Sequence, residues 1–193
     1  MQCLSFVPGA KVVGDVKPGS FPAKGFGVLY AHYGALEKWA DVTKQMRLNV
    51  ANDRLSCTTA GLPDPIFGIT KGLVIAYSVD GKIGLSTTGE NQQVALPPDP
   101  QVAAKLSPVP ARGFAVLAAA YGVTGSWVDV TETIRKRIAN GKLETSLAGL
   151  PDPAVGIPKE LVIAYARDGE VLLSFTPDGR SVSLPLVEPA GGH

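Results

Sequence analysis

The pentapeptide LVIAY at residues 73–77 is followed by the dipeptide DG at residues 80–81, and the same letters recur at residues 161–165 and 168–169. A short, continuous apolar run predicts a strand that is covered on both faces. Asp-Gly between two such runs predicts a two-residue hairpin turn. The sequence therefore predicts a central antiparallel hairpin, and it does so twice.

The repetition extends outward from these hairpins over most of the chain. Residues 25–97 align with residues 113–185 at a constant offset of 88, and about 37 of the 73 aligned positions are identical. A proline-rich stretch, PPDPQVAAKLSPVP, separates the copies and is typical of a semi-rigid linker. Two copies are too few for an open solenoid. We therefore predict two packed domains of one fold, residues 10–97 and 98–186, in a pseudo-twofold arrangement.

Each copy has the same predicted order of elements, β-α-β-loop-β-β-β. In the first copy, Val42, Met46 and Val50 recur every four residues, which predicts one apolar stripe on a short helix. Strands are predicted at residues 26–33, 54–59, 73–77, 82–87 and 94–96. The predicted fold class is mainly β, with α+β at the margin. Each unit is expected to be a small antiparallel β-sandwich or half-open barrel with one short helix.

Composition excludes several classes of function. The 193-residue chain has 45% hydrophobic residues, 18% charged residues and a net charge of +1. A surface without basic excess argues against nucleic-acid binding and against electrostatic attachment to membranes. No apolar run approaches the roughly 20 residues of a membrane span. The N-terminal residues lack the pattern of a signal peptide, so we expect a cytoplasmic location.

The residues that carry most enzyme chemistry are scarce. The chain has two histidines, His32 and His193, and His32 is replaced by Ala120 in the second copy. A histidine-based metal site or a catalytic triad therefore has little to build on, and we predict neither a metal nor a cofactor. A hydrolase that uses paired aspartates, such as Asp41 and Asp64, stays open. On balance, the sequence favours a protein without enzymatic activity.

The hexapeptide AGLPDP occurs at residues 60–65 and again at residues 148–153. Its two prolines restrict the backbone, so the loop is ordered at little entropic cost. A lysine follows each aspartate by seven residues. The expected ion pairs are Asp64 with Lys71 and Asp152 with Lys159. A structural role for the loop is favoured, and the alternative is a rigid loop that presents a carboxylate to a ligand.

The two tryptophans, Trp39 and Trp127, stand at matching positions just before the predicted helices. Buried anchors of the core are the favoured interpretation, and an exposed stacking surface for a sugar is the alternative. Asp41 and Asp129 follow two residues later. Their carboxylates are suited to capping the helices.

We predict a non-catalytic binding protein with two quasi-equivalent sites, because two linked weak sites gain avidity. Carbohydrate binding of a lectin-like kind is the first expectation. A protein-interaction or scaffold module, with possible self-association, is the second, and the paired-aspartate hydrolase is the third. The candidate ligand-binding residues are Trp39, Asp41, Asp64 and Lys71, with Trp127, Asp129, Asp152 and Lys159 in the second copy.

A longer pattern combines these motifs with their neighbours. It comprises Tyr33-Gly34, Trp39-x-Asp41-Val42-Thr43, Leu55, GLPDP, Gly68, Lys71, Leu73 and Tyr77, and it recurs from Tyr121 to Tyr165. In order and spacing it resembles the C-terminal domain of unknown function in a family of mitochondrial J-domain co-chaperones. The His-Pro-Asp signature of the J-domain is absent, since Tyr33 follows His32. The resemblance implies a standalone interaction module.

Overall fold

The structure, a computed structural model, describes residues 11–16, 22–98 and 106–185, and of residues 11–16 it describes the backbone alone. The chain is a mainly β protein with antiparallel sheets and two short helices among these residues, which confirms the predicted fold class. The first half contains β1 (Lys11–Val16), β2 (Phe26–Ala35), β3 (Lys38–Asp41), α1 (Thr43–Leu48), β4 (Val50–Ala51), β5 (Arg54–Thr58), β6 (Gly72–Val79), β7 (Lys82–Gly89) and β8 (Gln93–Leu96).

The second half contains nearly the same elements, displaced by 88 residues. They are β9 (Ser107–Pro108), β10 (Phe114–Val123), β11 (Ser126–Asp129), α2 (Thr131–Arg135), β12 (Ile138–Ala139), β13 (Lys142–Ser146), β14 (Glu160–Arg167), β15 (Glu170–Pro177) and β16 (Ser181–Leu184). Within the described ranges, two five-stranded sheets form, in the orders β3-β2-β6-β7-β9 and β1-β15-β14-β10-β11. Two three-stranded sheets, β4-β5-β8 and β12-β13-β16, accompany them.

The Asp-Gly dipeptides form the predicted hairpins. Val79 pairs with Lys82 across the first turn, where Asp80 and Gly81 both have positive φ, 49° and 74°. A two-residue turn with positive φ at both positions matches the right-handed twist of the flanking strands. This geometry joins β6 to β7, and the second dipeptide joins β14 to β15 in the same way.

The strands of LVIAY are buried on both faces, as their composition predicts. On β6, Val74 and Ala76 belong to a central cluster that also contains Val162 and Ala164 of β14. The alternate residues Leu73, Ile75 and Tyr77 belong to an outer cluster with α1 and β5. Because side chains alternate across a strand, each five-stranded sheet separates the central core from an outer core of its own half.

The two halves exchange edge strands. The N-terminal strand β1 pairs with β15 of the second half, and β9, which lies within the predicted proline-rich linker, pairs with β7 of the first half. Each half thus completes the five-stranded sheet of the other, and strands of both predicted domains contribute to one central core. Of the predicted domain limits, residues 10 and 186 lie outside the described residues.

The helices are shorter than the four-residue spacing of apolar residues predicts. Val42 precedes the first residue of α1, and Val50 already lies in β4. In the second half, Ile138 lies in β12 rather than in α2. The residues that recur every four positions therefore do not all lie in one helix. The last of them belongs to the short strand that follows the helix. The strands β3 and β11 also lie outside the predicted set of elements.

A repeated arginine completes the bulge in β2. The pairing of β2 with β6 shifts register between Val28 and Tyr30, which leaves carbonyl groups without ladder partners. Arg47 donates from Nε to Val28 O at 2.9 Å and from Nη2 to Leu29 O at 2.9 Å. Arg135 binds the matching carbonyls of β10, so the arginine of each helix fixes the long strand beneath it.

Candidate functional site

A buried lysine anchors the first AGLPDP loop. The Lys71 ammonium donates to the backbone oxygens of Ile66 at 3.2 Å and Ile69 at 2.7 Å. It also lies 3.1 Å from Asp64 Oδ1 and 3.5 Å from Glu90 Oε1. The lysine side chain is buried, whereas about half of the Asp64 side chain is exposed. The predicted ion pair is present, and it forms part of a four-oxygen anchor.

The second loop has the same anchor. The Lys159 ammonium donates to Ala154 O at 3.1 Å and Ile157 O at 2.7 Å, and it lies 3.1 Å from Asp152 Oδ1. The hydrogen bond from Lys159, together with that from the Ala154 backbone N–H, holds the pKa of Asp152 below its usual range. Asp178 takes the place of Glu90 at 3.8 Å. Both loop aspartates, Asp64 and Asp152, therefore bind their own loop.

A tyrosine of the long strand, β2 or β10, donates a hydrogen bond to one carboxylate of each anchor. Tyr33 donates to Glu90 at 3.4 Å, and Tyr121 donates to Asp178. Burial, with Glu90 beside it, raises the pKa of Tyr33 to about 12. Burial and the bond to Asp178 likewise raise the pKa of Tyr121 above its usual value. Both phenols stay neutral at physiological pH and remain hydrogen-bond donors.

The anchored loops present apolar side chains to solvent. Phe67, at the tip of the first loop, is 96% exposed, and Val155 at the matching position is 85% exposed. Ile69 and Ile157 are also exposed, although their backbone oxygens bind the buried lysines. Exposed apolar side chains that cluster on one surface mark sites of interaction.

Both loops lie at the same end of the molecule. The first loop leads into β6, and the second leads into β14. Each of these strands begins beside the end of its long neighbour, because Gly34 of β2 pairs with Gly72 and Gly122 of β10 pairs with Glu160. Glu160 also accepts a hydrogen bond from the Glu37 N–H in the first half. The two sheet ends therefore adjoin. We call the exposed apolar residues of this end the apical face: Leu36, Phe67, Ile69, Val155 and Ile157.

The tryptophans lie beneath the apical face. Trp39 is buried, packs on Phe175 of the second half with ring centroids 4.8 Å apart, and donates from Nε1 to Glu160 at 3.2 Å. Trp127 is partly buried against the same central cluster, and the two indoles line one narrow cleft with Glu160 and Thr124. Trp39 thus anchors the core, as favoured from the sequence.

Asp41 and Asp129 lie beside the helices rather than in the cleft. Each accepts a hydrogen bond from the first helical N–H, Thr43 N at 2.8 Å and Thr131 N at 2.9 Å. Partial burial raises the pKa of Asp41, but the hydrogen bonds from Thr43 outweigh this effect, so its pKa lies below the usual value. The two carboxylates stabilise the helix starts, which is the role that their position predicts.

Sequence reasoning missed the exposed loop tips Phe67 and Val155, and it also missed Glu160. Glu160 is buried, and it joins the two halves through its bonds to Glu37 N and Trp39. The sequence did contain a signal for Glu160: it is a charged residue directly before the apolar LVIAY strand, where the other copy has Gly72. A carboxyl group that is buried at such a position needs hydrogen-bond donors from neighbouring elements.

Glu160 should make stability depend on pH. Burial raises its pKa, although hydrogen bonds from Glu37 N and Trp39 oppose the shift. Its contribution is therefore complete below about pH 4.5, the ordinary glutamate value, and is lost as pH rises through the raised pKa. Glu160→Gln, which keeps an acceptor oxygen, should be more stable than the parent at neutral pH and lose that advantage in acid. Urea unfolding at a series of pH values measures this, with exposed Glu144→Gln as the control.

Among the described residues, no group of three histidine, cysteine or carboxylate side chains could hold a metal ion. None of their helices is long and apolar enough to cross a membrane. The four aspartates of the candidate site each bind a lysine or a helix start: Asp64 belongs to the loop anchor, and Asp41 lies beside α1. The arrangement supplies anchored loops and a narrow cleft.

Comparison with protein-family models, with curated proteins and with solved structures gives no match, so the resemblance to the co-chaperone domain stays a prediction.

Proposed function

We propose that the chain is a non-catalytic binding protein that docks a protein partner through its apical face. The observation that carries this proposal is the exposure of Phe67 on a loop whose backbone is held by the buried Lys71. Aromatic side chains that enter a partner's pocket supply much of the binding energy at protein interfaces. An ordered loop loses little conformational freedom on binding, which favours affinity.

The two loop tips offer unequal anchors. The first loop carries Ile66 and Phe67 where the second carries Ala154 and Val155. The larger tip buries more apolar area in a partner, so Phe67 is the main anchor and Val155 the secondary one. Because both lie at one end of the molecule, a single partner can contact both tips at once, and their contributions combine.

A protein partner fits the charges around the tips better than a membrane does. The lysine ammonium groups of both anchors are buried, whereas the carboxylates of Asp64 and Asp152 are about half exposed. A loop that enters an anionic membrane surface gains from exposed cations and is repelled through exposed carboxylates. Carbohydrate binding has less support, because Trp39 packs its ring on Phe175 and offers no free face for a sugar.

The test compares proteins that co-purify with the tagged chain and with variants of its tips. Phe67→Ser with Val155→Ser should lose a stoichiometric partner that the parent retains, with affinity reduced by about 30-fold or more, the range of a hot spot. Leu48→Ser is the matched control, since Leu48 is 78% exposed at the end of α1, away from the apical face.

The proposal is wrong if the same partners bind the parent and the tip variants with equal affinity. It is also wrong if the purified parent binds a glycan on an array, and the tip variants bind that glycan equally well while no protein partner is found. Thermal unfolding of each variant must match the parent, because the exposed tips contribute little to the fold.

A further inference from the structure

Two rows of residues face each other beneath the apical face. In the first sheet the row runs across β3, β2 and β6, and in the second across β11, β10 and β14. The first row is Trp39, Gly34 and Gly72, and the second is Trp127, Gly122 and Glu160. Trp39 contacts Glu160, which is the first residue of the central strand in the opposite sheet. The corresponding first residue of β6 is Gly72, and it lies beside Thr124 of the second hairpin.

The Trp39 end of this arrangement is a carboxylate site filled by the protein itself. Glu160 Oε1 accepts from the Glu37 backbone N–H at 3.0 Å and from Trp39 Nε1 at 3.2 Å. Glu37 is the second residue of a hairpin turn and has positive φ, 65°. An indole N–H and a turn N–H together thus hold a carboxylate between the halves.

The Trp127 end repeats the donors without the carboxylate. Trp127 Nε1 is buried and has no hydrogen-bond partner among the described residues. Gly125 takes the place of Glu37 in the second hairpin, with φ of 82°. A Cβ atom added to Gly72 would lie 3.1 Å from Thr124 Oγ1, so a hydroxyl stands where the other half has Leu36. A buried N–H without an acceptor costs free energy, which an incoming acceptor recovers.

We propose that Trp127, Thr124 and the backbone N–H of Gly125 bind a carboxylate group that comes from another molecule. Its source is either a small carboxylic acid or a carboxyl group on a peptide. The cleft lined by Trp127 and Thr124 is narrow, so the ligand group that enters it must be small. The site is separate from the exposed loop tips, so it stands whether or not those tips bind a protein.

The chain's two tryptophans provide the readout. Each gives one indole N–H signal in a nitrogen-15 NMR spectrum, and Trp127→Phe assigns them. Formate should shift the Trp127 signal in a saturable way with an affinity of about 1–10 mM, as weak sites of this size do. The Trp39 signal should move less, because Glu160 already occupies its donor. Chloride at equal ionic strength is the control.

Two variants test the donors. Thr124→Val should weaken formate binding by about 10-fold, the loss of one hydrogen bond to a charged group. Gly72→Glu should supply the carboxylate from the chain itself and abolish the response to formate. If Gly72→Glu does not fold, Thr124→Val still decides, because its side chain keeps the size of threonine. An unchanged affinity in Thr124→Val overturns the assignment of the donors.

A second set of probes identifies the source of the carboxylate. Acetylated glycylglycine with a free carboxyl end should compete with formate if the group belongs to a peptide, and its amide should not. If formate and acetate bind while the dipeptide does not, the ligand is a small acid. The proposal fails if formate leaves the Trp127 signal in place, or if chloride moves it equally.

Discussion

Replacing Phe175 with alanine should lower the free energy of unfolding by about 3–5 kcal/mol, the usual loss for a buried phenylalanine. Phe175 is 2% exposed in the central core. Its ring packs on Trp39 at 4.8 Å and meets His32 edge-on at 5.6 Å, and both of those residues belong to the first half. The substitution therefore removes contacts between the two halves. It also removes the free energy gained by burying the phenylalanine side chain away from water.

The same variant tests whether the halves unfold together. Because the exchanged edge strands and the central core join them, the parent and Phe175→Ala should each unfold in one transition, seen alike by tryptophan fluorescence and by circular dichroism. Thr87→Ala is the matched control, since Thr87 stands at the corresponding position of β7 and is only partly buried. A Phe175→Ala protein that loses less than about 1 kcal/mol would contradict the assigned packing.

The sequence predicts the interior of each sheet well because burial leaves a local trace. Continuous apolar letters in LVIAY specify a strand covered on both faces, and Asp80-Gly81 specifies the turn that follows it. Both features depend on residues that are adjacent in the chain. The helix was overestimated because Val50, which follows the helix in β4, fits the same four-residue spacing as Met46.

The exchange of edge strands has no such local trace. Any short extended segment can pair with any open edge, so the letters of β1 do not indicate whether β7 or β15 is its partner. The choice depends on how the halves pack. For the same reason the sequence could indicate that Lys71 pairs with Asp64, but could not indicate that the ammonium is buried or that Phe67 is consequently held outside.

Replacing Lys71 or Lys159 with methionine should cost about 2–4 kcal/mol each, because two loop carbonyls lose their donor. In the first loop these are the oxygens of Ile66 and Ile69, which Nζ binds at 3.2 and 2.7 Å. Methionine fills most of the lysine volume, so the loss reports the ammonium rather than a cavity. The half-exposed Asp64 can return to water, and its ion pair contributes little to the total.

The two losses should add, since each lysine binds its own loop and no bond joins the two anchors. Lys142→Met, at an exposed position of β13, is the control and should change stability by less than about 0.5 kcal/mol. Chymotrypsin should cut after Phe67 faster in Lys71→Met than in the parent, because a loop without its anchor opens locally. In Lys159→Met, by contrast, cleavage after Phe67 should stay at the parent rate. If Lys71→Met kept the parent's stability and its resistance to chymotrypsin, the ammonium would not be what holds Phe67 in place, and the apical face would lose the ordered backbone on which docking depends.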